Sequence, residues 1–215
     1  LRVVQGNIAD ADSLANARSH FDIVVHLAAA KRMFDKNNEI KETNITGLKN
    51  VLNAFCSHGK KTLLVFASSI DAAVRNSDYA NSKIMGEKII KKFARERAQL
   101  KFINVRLGNI YHHKDGGFEK SIADLIDKGG WKASLLFHEL GEKYLYPIEL
   151  NSLIQKLINL MSNPINHGKT IEMYDRKVRV RDISETIPKK IIVGRILLSI
   201  WHLMGKLTKR GDLLI

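Results

Sequence analysis

The chain has 215 residues, of which 45% are hydrophobic, so it can bury a sizeable core and disorder of the whole chain is excluded. Its formal net charge of +13 suits an anionic ligand such as a nucleotide, a nucleic acid or an acidic membrane surface. Cys56 is the single cysteine, which excludes a disulfide framework, and we expect it to be a buried thiol in a reducing compartment. Neither a signal peptide nor a bilayer-spanning apolar stretch is visible, so we expect a cytoplasmic protein.

The N-terminal part alternates β-rich runs with helical patterns, which is typical of a parallel sheet covered by helices. Arg2–Gln5 is predicted to be a strand, and Asp10–Ser19 a short helix. A second predicted strand, Phe21–Leu27, ends in the three alanines 28–30. Small residues at this point would let a ligand approach the backbone.

A long helix is predicted over Asn37–His58, because apolar residues form a stripe along it and Gly59 follows as a stop signal. Asn44 falls on that stripe. An amide on an apolar face is more often a hydrogen-bonded structural group than a ligand. Both interpretations stay open at this point.

The next predicted strand, Thr62–Ala67, runs directly into Ser68 and Ser69. A hydroxyl at the C-terminal end of a parallel strand lies where open α/β sheets bind ligands. On the helix that follows, Tyr79 and Lys83 are four residues apart and share one face. A nearby ammonium favours the phenolate, so we expect Lys83 to lower the pKa of Tyr79 toward the range of a general acid or base.

After about residue 110 the alternation of strand and helix becomes less regular. Before this point a helix is predicted over Ser77–Arg97 and a strand over Phe102–Leu107. After it the predicted elements are a helix between Gly116-Gly117 and Gly129-Gly130, a helix over Glu149–Met161, a strand over Lys169–Tyr174 and two basic helical segments. The looser pattern predicts a smaller lobe in the second half of the chain.

Five short motifs follow one another along the chain. They are Gly6–Asp10, His26–Ala29, Thr43–Gly47, the Ser68-Ser69 pair with Tyr79 and Lys83, and Arg106–Tyr111. In this order they resemble the extended short-chain dehydrogenase/reductase family, specifically its NAD-dependent epimerase and dehydratase branch, which largely acts on nucleotide-linked sugars. The resemblance covers most of residues 1–210.

The resemblance implies an α/β fold, a Rossmann-like doubly wound parallel sheet with a smaller C-terminal substrate lobe. It divides the chain into a partial NAD(P)-binding Rossmann domain, residues 1–110, and a partial substrate-binding lobe interleaved with the sheet, residues 111–215. It also implies NAD or NADP as the cofactor and a nucleotide sugar as the substrate. The family binds the cofactor diphosphate on a glycine-rich turn of its first βαβ unit. None of the 215 residues forms such a turn, so we expect a fragment that lacks its first βαβ unit and has little or no activity.

The same resemblance implies roles for individual side chains and no metal site. Tyr79, Lys83 and Ser69 match the catalytic residues, and Ser68 is an alternative to Ser69 because only nine residues separate Ser69 from Tyr79. The implied cofactor contacts are Leu27, Ala28, Ala29, Asn44, Ser68, Tyr79, Lys83 and Leu107. The implied substrate contacts are Ser69, Tyr79 and Asn109.

The choice between epimerase, dehydratase and reductase stays open. A dehydratase usually has a carboxylate near the serine, for which Asp71 is the candidate, although a turn residue is the simpler interpretation. In the second lobe, Glu149 is the one acidic residue left of a pair that the family carries. We therefore expect a weaker contact at the N-terminus of the helix that follows it.

The basic segment Lys189–Arg210 supports an alternative class of function. It combines a narrow polar stripe with apolar residues around Trp201 and Met204, and a basic amphipathic helix can lie in an anionic membrane interface. The alternative is therefore a non-catalytic remnant, or a module that binds a membrane surface or a partner. The wide apolar arc favours packing against the protein instead.

The sequence also bears on two kinds of partner, a nucleic acid and a second copy of the chain. The positive charge is spread along the chain without interleaved aromatic residues, so we expect no nucleic-acid partner. The helices predicted from Asn37 and Ser77 form a dimer face in many relatives, and this resemblance suggests a homodimer.

Overall fold

A computed structural model describes residues 3–17, 20–31, 39–57, 59–74, 77–124, 126, 128 and 143–186. The strands are β1 Ile23–His26, β2 Thr62–Ser69, β3 Leu100–Leu107, β4 Asn109–Tyr111, β5 Tyr144–Leu145, β6 Pro147–Glu149, β7 Lys169–Met173 and β8 Val178–Arg179. The helices are α1 Glu39–Lys41, α2 Gly47–Phe55, α3 Asp71–Val74, α4 Asp78–Arg95, α5 over residues 117–124, α6 Leu150–Met161 and α7 Val180–Thr186. The chain divides into two compact units, Leu1–Gly108 with Leu153–Met173, and Asn109–Ser152 with Tyr174–Ile215.

The first unit contains a four-stranded sheet in the order β1-β2-β3-β7, and all its strands are parallel. At its centre, Val65 of β2 pairs with Val25 of β1 and with Ile103 of β3. Parallel neighbours need crossover connections, which the helices between the strands provide. The predicted α/β fold with a parallel sheet is therefore confirmed.

The core of this unit lies between the sheet and two helices. Leu48 and Leu52 recur at helical spacing on α2 and are fully buried with Leu64 and Phe66 of β2. Gly86 on α4 lies so close to the sheet that a Cβ atom there would be 2.7 Å from Cζ of Phe66. This close approach brings α4 tightly against β2, the strand that ends at the serine pair.

The predicted elements of this unit are found with three differences. The strand predicted at Arg2–Gln5 is wrong over residues 3–5, which form no strand, and Val3 is 84% exposed. A strand forms only by pairing, and no strand among the described residues pairs with this stretch. The predicted helix Asp10–Ser19 contains only a 3-10 turn, Asp12–Ala17. Between α1 and α2 the helix passes through a π-helical turn, Glu42–Thr46.

Cys56 follows α2 and is a free, buried thiol, as expected. It belongs to the core formed by α2, α4 and the sheet. Burial raises the pKa of its thiol to about 11, because a thiolate is poorly solvated in apolar surroundings. The interpretation of Cys56 as a core residue is confirmed.

The second unit contains two small sheets, a parallel pair of β4 with β6 and an antiparallel pair of β5 with β8. Its core combines one face of α5 with residues of β5 and α7. The buried members are Phe118, Ile122, Ile126, Leu145, Val180 and Ile183. The helix predicted after the Gly116-Gly117 pair is thus present as α5, while Gly129-Gly130 lies outside the described residues.

The start of α6 corrects the expectation about Glu149. One of its carboxylate oxygens accepts hydrogen bonds from the backbone N–H groups of Asn151 at 2.6 Å and Ser152 at 3.0 Å. Asp175 accepts from the backbone N–H of Glu149 at 2.8 Å and from the Ser152 hydroxyl at 2.7 Å. The expected weak contact is wrong, because Asp175 supplies a second carboxylate from a distant point of the sequence.

Within the described part of the chain, no helix is long and apolar enough to cross a membrane. The same residues contain no group of three or more side chains that could hold a metal ion. The basic segment Lys189–Arg210, and with it the membrane-surface interpretation, lies outside the described residues.

Candidate functional site

The start of α4 places the two residues of the predicted proton-transfer pair. Ser77 has an extended backbone, and its hydroxyl accepts a hydrogen bond from the backbone N–H of Ala80 at 3.1 Å, so it caps the helix. Tyr79 therefore lies in the first turn and Lys83 in the next. The Lys83 ammonium donates to the backbone oxygen of Ala67 at 2.7 Å, near the C-terminal end of β2.

Lys83 is only 3% exposed, which is unusual for a lysine. Its nitrogen lies 5.0 Å from the ring centroid of Phe66 and 5.6 Å from that of Tyr79. Burial and the charge of Lys31 lower its pKa to about 8, because both disfavour the cationic form. Lys83 can therefore exchange a proton close to neutral pH.

The phenol of Tyr79 has a raised pKa, so the expectation that Lys83 lowers it is wrong. Burial is the largest cause, since a phenolate is poorly solvated there, and the Asp71 carboxylate acts in the same direction. A hydrogen bond with the side chain of Ser69 acts in the opposite direction without reversing the shift. At neutral pH the phenol is protonated and can donate a proton.

The two serines at the end of β2 have different side-chain partners, which lie at two places along α4. The Ser68 hydroxyl donates to Glu87 on α4 at 2.6 Å. The Ser69 hydroxyl accepts from the backbone N–H of Asp71 at 3.2 Å and is the one hydrogen-bonded to Tyr79. The structure thus brings Ser69 to the phenol, whereas Glu87 engages Ser68.

Glu87 also pairs with Arg106 of β3. The guanidinium donates from Nε at 3.0 Å and from Nη2 at 2.9 Å to the two carboxylate oxygens. This bidentate pair has a fixed geometry. Together with the Ser68 hydrogen bond, it joins the C-terminal ends of β2 and β3 to the helix that carries Tyr79.

Asn44 connects the chain after β1 to the same helix. Its Oδ1 accepts from the backbone N–H of Ala30 at 2.7 Å, and its Nδ2 donates to the Ala30 oxygen at 3.0 Å and to the Ser82 hydroxyl at 2.8 Å. The Ser82 hydroxyl in turn donates to the Tyr79 backbone oxygen at 2.7 Å. Both amide hydrogens of Asn44 are used, which supports a structural role.

The other predicted contact residues lie in three places. Leu27, Ala28 and Ala29 are exposed after β1, while Leu107 is half-buried at the end of β3. Asn109 belongs to the second unit, where its Oδ1 accepts from the backbone N–H of Tyr146 at 3.0 Å. The roles assigned to all of these residues stay predictions.

Two residues of this region were not predicted as site residues. His26 is buried and stacks on Phe66 with ring centroids 5.8 Å apart, and its pKa is lowered to about 4 by burial and by the Lys83 charge. Lys31 follows the three alanines, and its nitrogen lies 5.1 Å from the Tyr79 ring centroid. The signal for Lys31 was its place in the segment that follows the C-terminal end of β1, where ligands bind in parallel sheets.

The family model described as NAD dependent epimerase/dehydratase family matches residues 1–130. No curated protein matches the chain significantly. Among solved structures, Pen from Bacillus thuringiensis is 24% identical with a TM-score of 0.67, and the match covers 86% of this chain and 57% of that protein. A short-chain dehydrogenase/reductase superfamily protein from Agrobacterium tumefaciens, solved with bound NAD, is 15% identical with a TM-score of 0.69. The match covers 85% of this chain and 69% of that protein. UDP-glucose 4-epimerase from Thermotoga maritima, solved with UDP-glucose, is 18% identical with a TM-score of 0.61. The match covers 88% of this chain and 67% of that protein.

Proposed function

Because the chain belongs to the NAD dependent epimerase/dehydratase family, we propose that it contains the proton-transfer residues of an NAD(P)-dependent epimerase, dehydratase or reductase that acts on a nucleotide sugar. One observation carries the proposal. The centroid of the Tyr79 ring lies 5.6 Å from the nitrogen of the buried Lys83, and the Ser69 hydroxyl that acts on its phenol stands at the C-terminal end of a parallel strand. Ligands bind at this end of open α/β sheets.

In this proposal Tyr79 exchanges a proton with a hydroxyl or carbonyl oxygen of the substrate, and Ser69 donates a hydrogen bond to the same oxygen. The raised pKa of the phenol keeps the proton in place until it is needed. Lys83 can take up or return a proton near neutral pH, since its pKa is about 8. The cofactor, when bound, accepts or supplies the hydride at its nicotinamide ring.

The residues present fit the nicotinamide half of such a cofactor. Lys83 has three N–H groups, and among the described residues one backbone oxygen accepts from them, so donors are available for a ribose hydroxyl. Ala28 and Ala29 expose a backbone with no side chain beyond a methyl group. Leu27 and Leu107 would add apolar contacts.

These residues offer no comparable site for the diphosphate of the cofactor, because the glycine-rich turn that would bind it does not occur in the 215-residue sequence. The chain spans 57% of the length of Pen, the first structure compared above. Our proposal therefore includes weak cofactor binding by these 215 residues alone. We further propose a homodimer that forms through the helices predicted from Asn37 and Ser77. We also propose a cytoplasmic location.

Asp71 favours a dehydratase as a more specific candidate. Its backbone N–H donates to Ser69, and its charge raises the pKa of Tyr79, so the carboxylate acts electrostatically on the site. Elimination of water next to a ketone needs a base, and a carboxylate can serve as one. In a dehydratase, Asp71→Asn would abolish formation of the unsaturated product, whereas an epimerase would retain turnover.

The experiment uses a chimera in which the glycine-rich βαβ unit of a family member is joined ahead of Leu1. We expect it to bind NAD or NADP in calorimetry and to turn over members of a nucleotide-sugar panel. Tyr79→Phe keeps the ring and removes the proton donor, so turnover should fall by roughly 10²–10⁴-fold with the fold intact. Lys83→Met should weaken cofactor binding as well, and the two defects should not add, because both act through one proton transfer.

Ser68→Ala is a matched control for Ser69→Ala, because the two hydroxyls are neighbours with different partners. Loss of Ser69 should reduce turnover far more than loss of Ser68. Full turnover by Tyr79→Phe would contradict the site. Micromolar NAD binding by the 215 residues alone would contradict the predicted weak binding.

A further inference from the structure

Lys31 has a fixed place beside the candidate site. It directly follows Ala30, whose backbone N–H and oxygen are both hydrogen-bonded to Asn44 at 2.7 and 3.0 Å. Asn44 is also joined through Ser82 to the backbone of Tyr79. The start of the Lys31 side chain is therefore positioned by the same polar connection that positions the first turn of α4.

The ring of Tyr79 has two lysine nitrogens near it. Nζ of Lys31 lies 5.1 Å from the ring centroid, and Nζ of Lys83 lies 5.6 Å from it. Lys31 is exposed, whereas Lys83 is buried. Two ammonium groups near one aromatic ring repel each other, and for Lys83 this repulsion adds to the burial that already disfavours its charged form.

We propose that Lys31 is a positioning residue of the acid-base site, whose charge, together with burial, favours the neutral form of Lys83 beside Tyr79. The inference rests on the proposed function for its meaning, because Lys83 matters there as a proton carrier. Lys31 acts on the chemistry through Lys83. A lysine whose proton leaves near neutral pH can pass it on, whereas an ordinary lysine holds it.

Other ionisable groups near Lys83 lie on β1, α3 and α4. His26 approaches from β1, and its own pKa of about 4 keeps it neutral at pH 7. Asp71 on α3 acts on the neighbouring phenol with the opposite sign of charge. Glu87, one turn further along α4, is engaged by Arg106. Besides burial, it is the charge of Lys31 that lowers the pKa of Lys83.

The test is a titration of the Lys83 amino group by NMR of ¹³Cε-labelled lysine in the 215-residue chain, with the signal identified through Lys83→Arg. In Lys31→Met we expect the midpoint to move upward by roughly 0.5–1 pH unit, a partial return toward the ordinary value, because burial remains. Lys31→Arg keeps the charge and should leave the midpoint near that of the unchanged chain.

Lys101→Met is the matched control, because Lys101 is exposed at the start of β3, at the opposite end of the sheet strands. It should leave the midpoint unchanged. An unchanged midpoint in Lys31→Met, or an equal shift in Lys101→Met, would overturn the inference. A failed fold of Lys31→Met is not expected for an exposed position, and Lys31→Gln provides a second variant. The titration needs neither cofactor nor turnover, so its outcome is separate from that of the proposed function.

Discussion

Two consecutive turns of α4 carry charged groups in opposite situations. Glu87 accepts two hydrogen bonds from Arg106 and a third from Ser68, so its charge is compensated. Lys83, one turn earlier, is buried against two aromatic rings and donates to one backbone oxygen, that of Ala67. Buried charges in proteins are normally paired, so the Lys83 turn departs from what stability alone favours.

The pKa of Lys83 gives the size and sign of this departure. A value of about 8 against an ordinary 10.5 means that burial and repulsion disfavour the ammonium by roughly 3 kcal/mol. Between these two pH values the unfolded chain holds a proton that the folded chain has lost, so stability rises with pH through that window. The Glu87 turn stabilises the fold, whereas the Lys83 turn weakens it at neutral pH. Such a cost is typical of functional sites.

The largest effect on stability is expected at the compensated turn. Glu87→Ala leaves the Arg106 cation half-buried and the Ser68 hydroxyl without its acceptor. We expect the free energy of unfolding in urea at pH 7 to fall by about 3 kcal/mol, the lower end of the cost of removing one partner of a buried ion pair, because this pair is partly exposed.

Lys88→Ala is the control for this change, because Lys88 is the next residue on α4 and is exposed. It should alter stability by less than about 0.5 kcal/mol. Adding Arg106→Met to Glu87→Ala should recover part of the loss, since the unpaired charge is then gone. A loss below about 1 kcal/mol in Glu87→Ala would show that the pair contributes little.

The opposite sign is expected one turn earlier. Lys83→Met keeps the length of the side chain and removes the buried charge, at the cost of one hydrogen bond to Ala67. We expect the free energy of unfolding at pH 7 to rise by about 2 kcal/mol. The gain should shrink above pH 8 and be gone above pH 10.5, where the lysine becomes neutral in the folded and unfolded chain alike.

The measurement is urea unfolding of both proteins at pH 7 and pH 10. Lys88→Met tests whether a gain could come from removing any positive charge on α4, given the net charge of +13. A lower stability of Lys83→Met at pH 7 would mean that the Ala67 hydrogen bond outweighs the burial of the charge. The contrast between the two turns would then be lost.

Local pattern was enough to predict the elements that carry the site. The apolar run that ends at Ser68 and Ser69 predicts a buried parallel strand, and the Tyr79 to Lys83 spacing depends only on helix geometry. The failed strand at residues 3–5 shows the limit of this reasoning, because a strand also needs a neighbour that periodicity does not supply.

The electrostatics of the site could not be predicted in the same way. The direction of the Tyr79 shift depends on burial and on Asp71 of another helix, and both follow from tertiary packing. Lys31 reaches Tyr79 across 48 positions of sequence, and Asp175 meets Glu149 across 26. No short-range pattern connects such pairs.

The smallest predicted effect concerns His26, the neutral neighbour of the uncompensated turn. Its folded pKa of about 4 lies below the ordinary 6.5, so the unfolded chain takes up a proton first as the pH falls. Between pH 7 and pH 5.5 the unchanged chain should lose about 1 kcal/mol of stability for this reason, and His26→Leu should not. His113→Leu, at an exposed position, should keep the original pH dependence. Lys83→Met should reduce the loss, because the Lys83 charge is the second cause of the His26 shift. An unchanged acid loss in His26→Leu would place its origin in other groups and would separate His26 from Lys83.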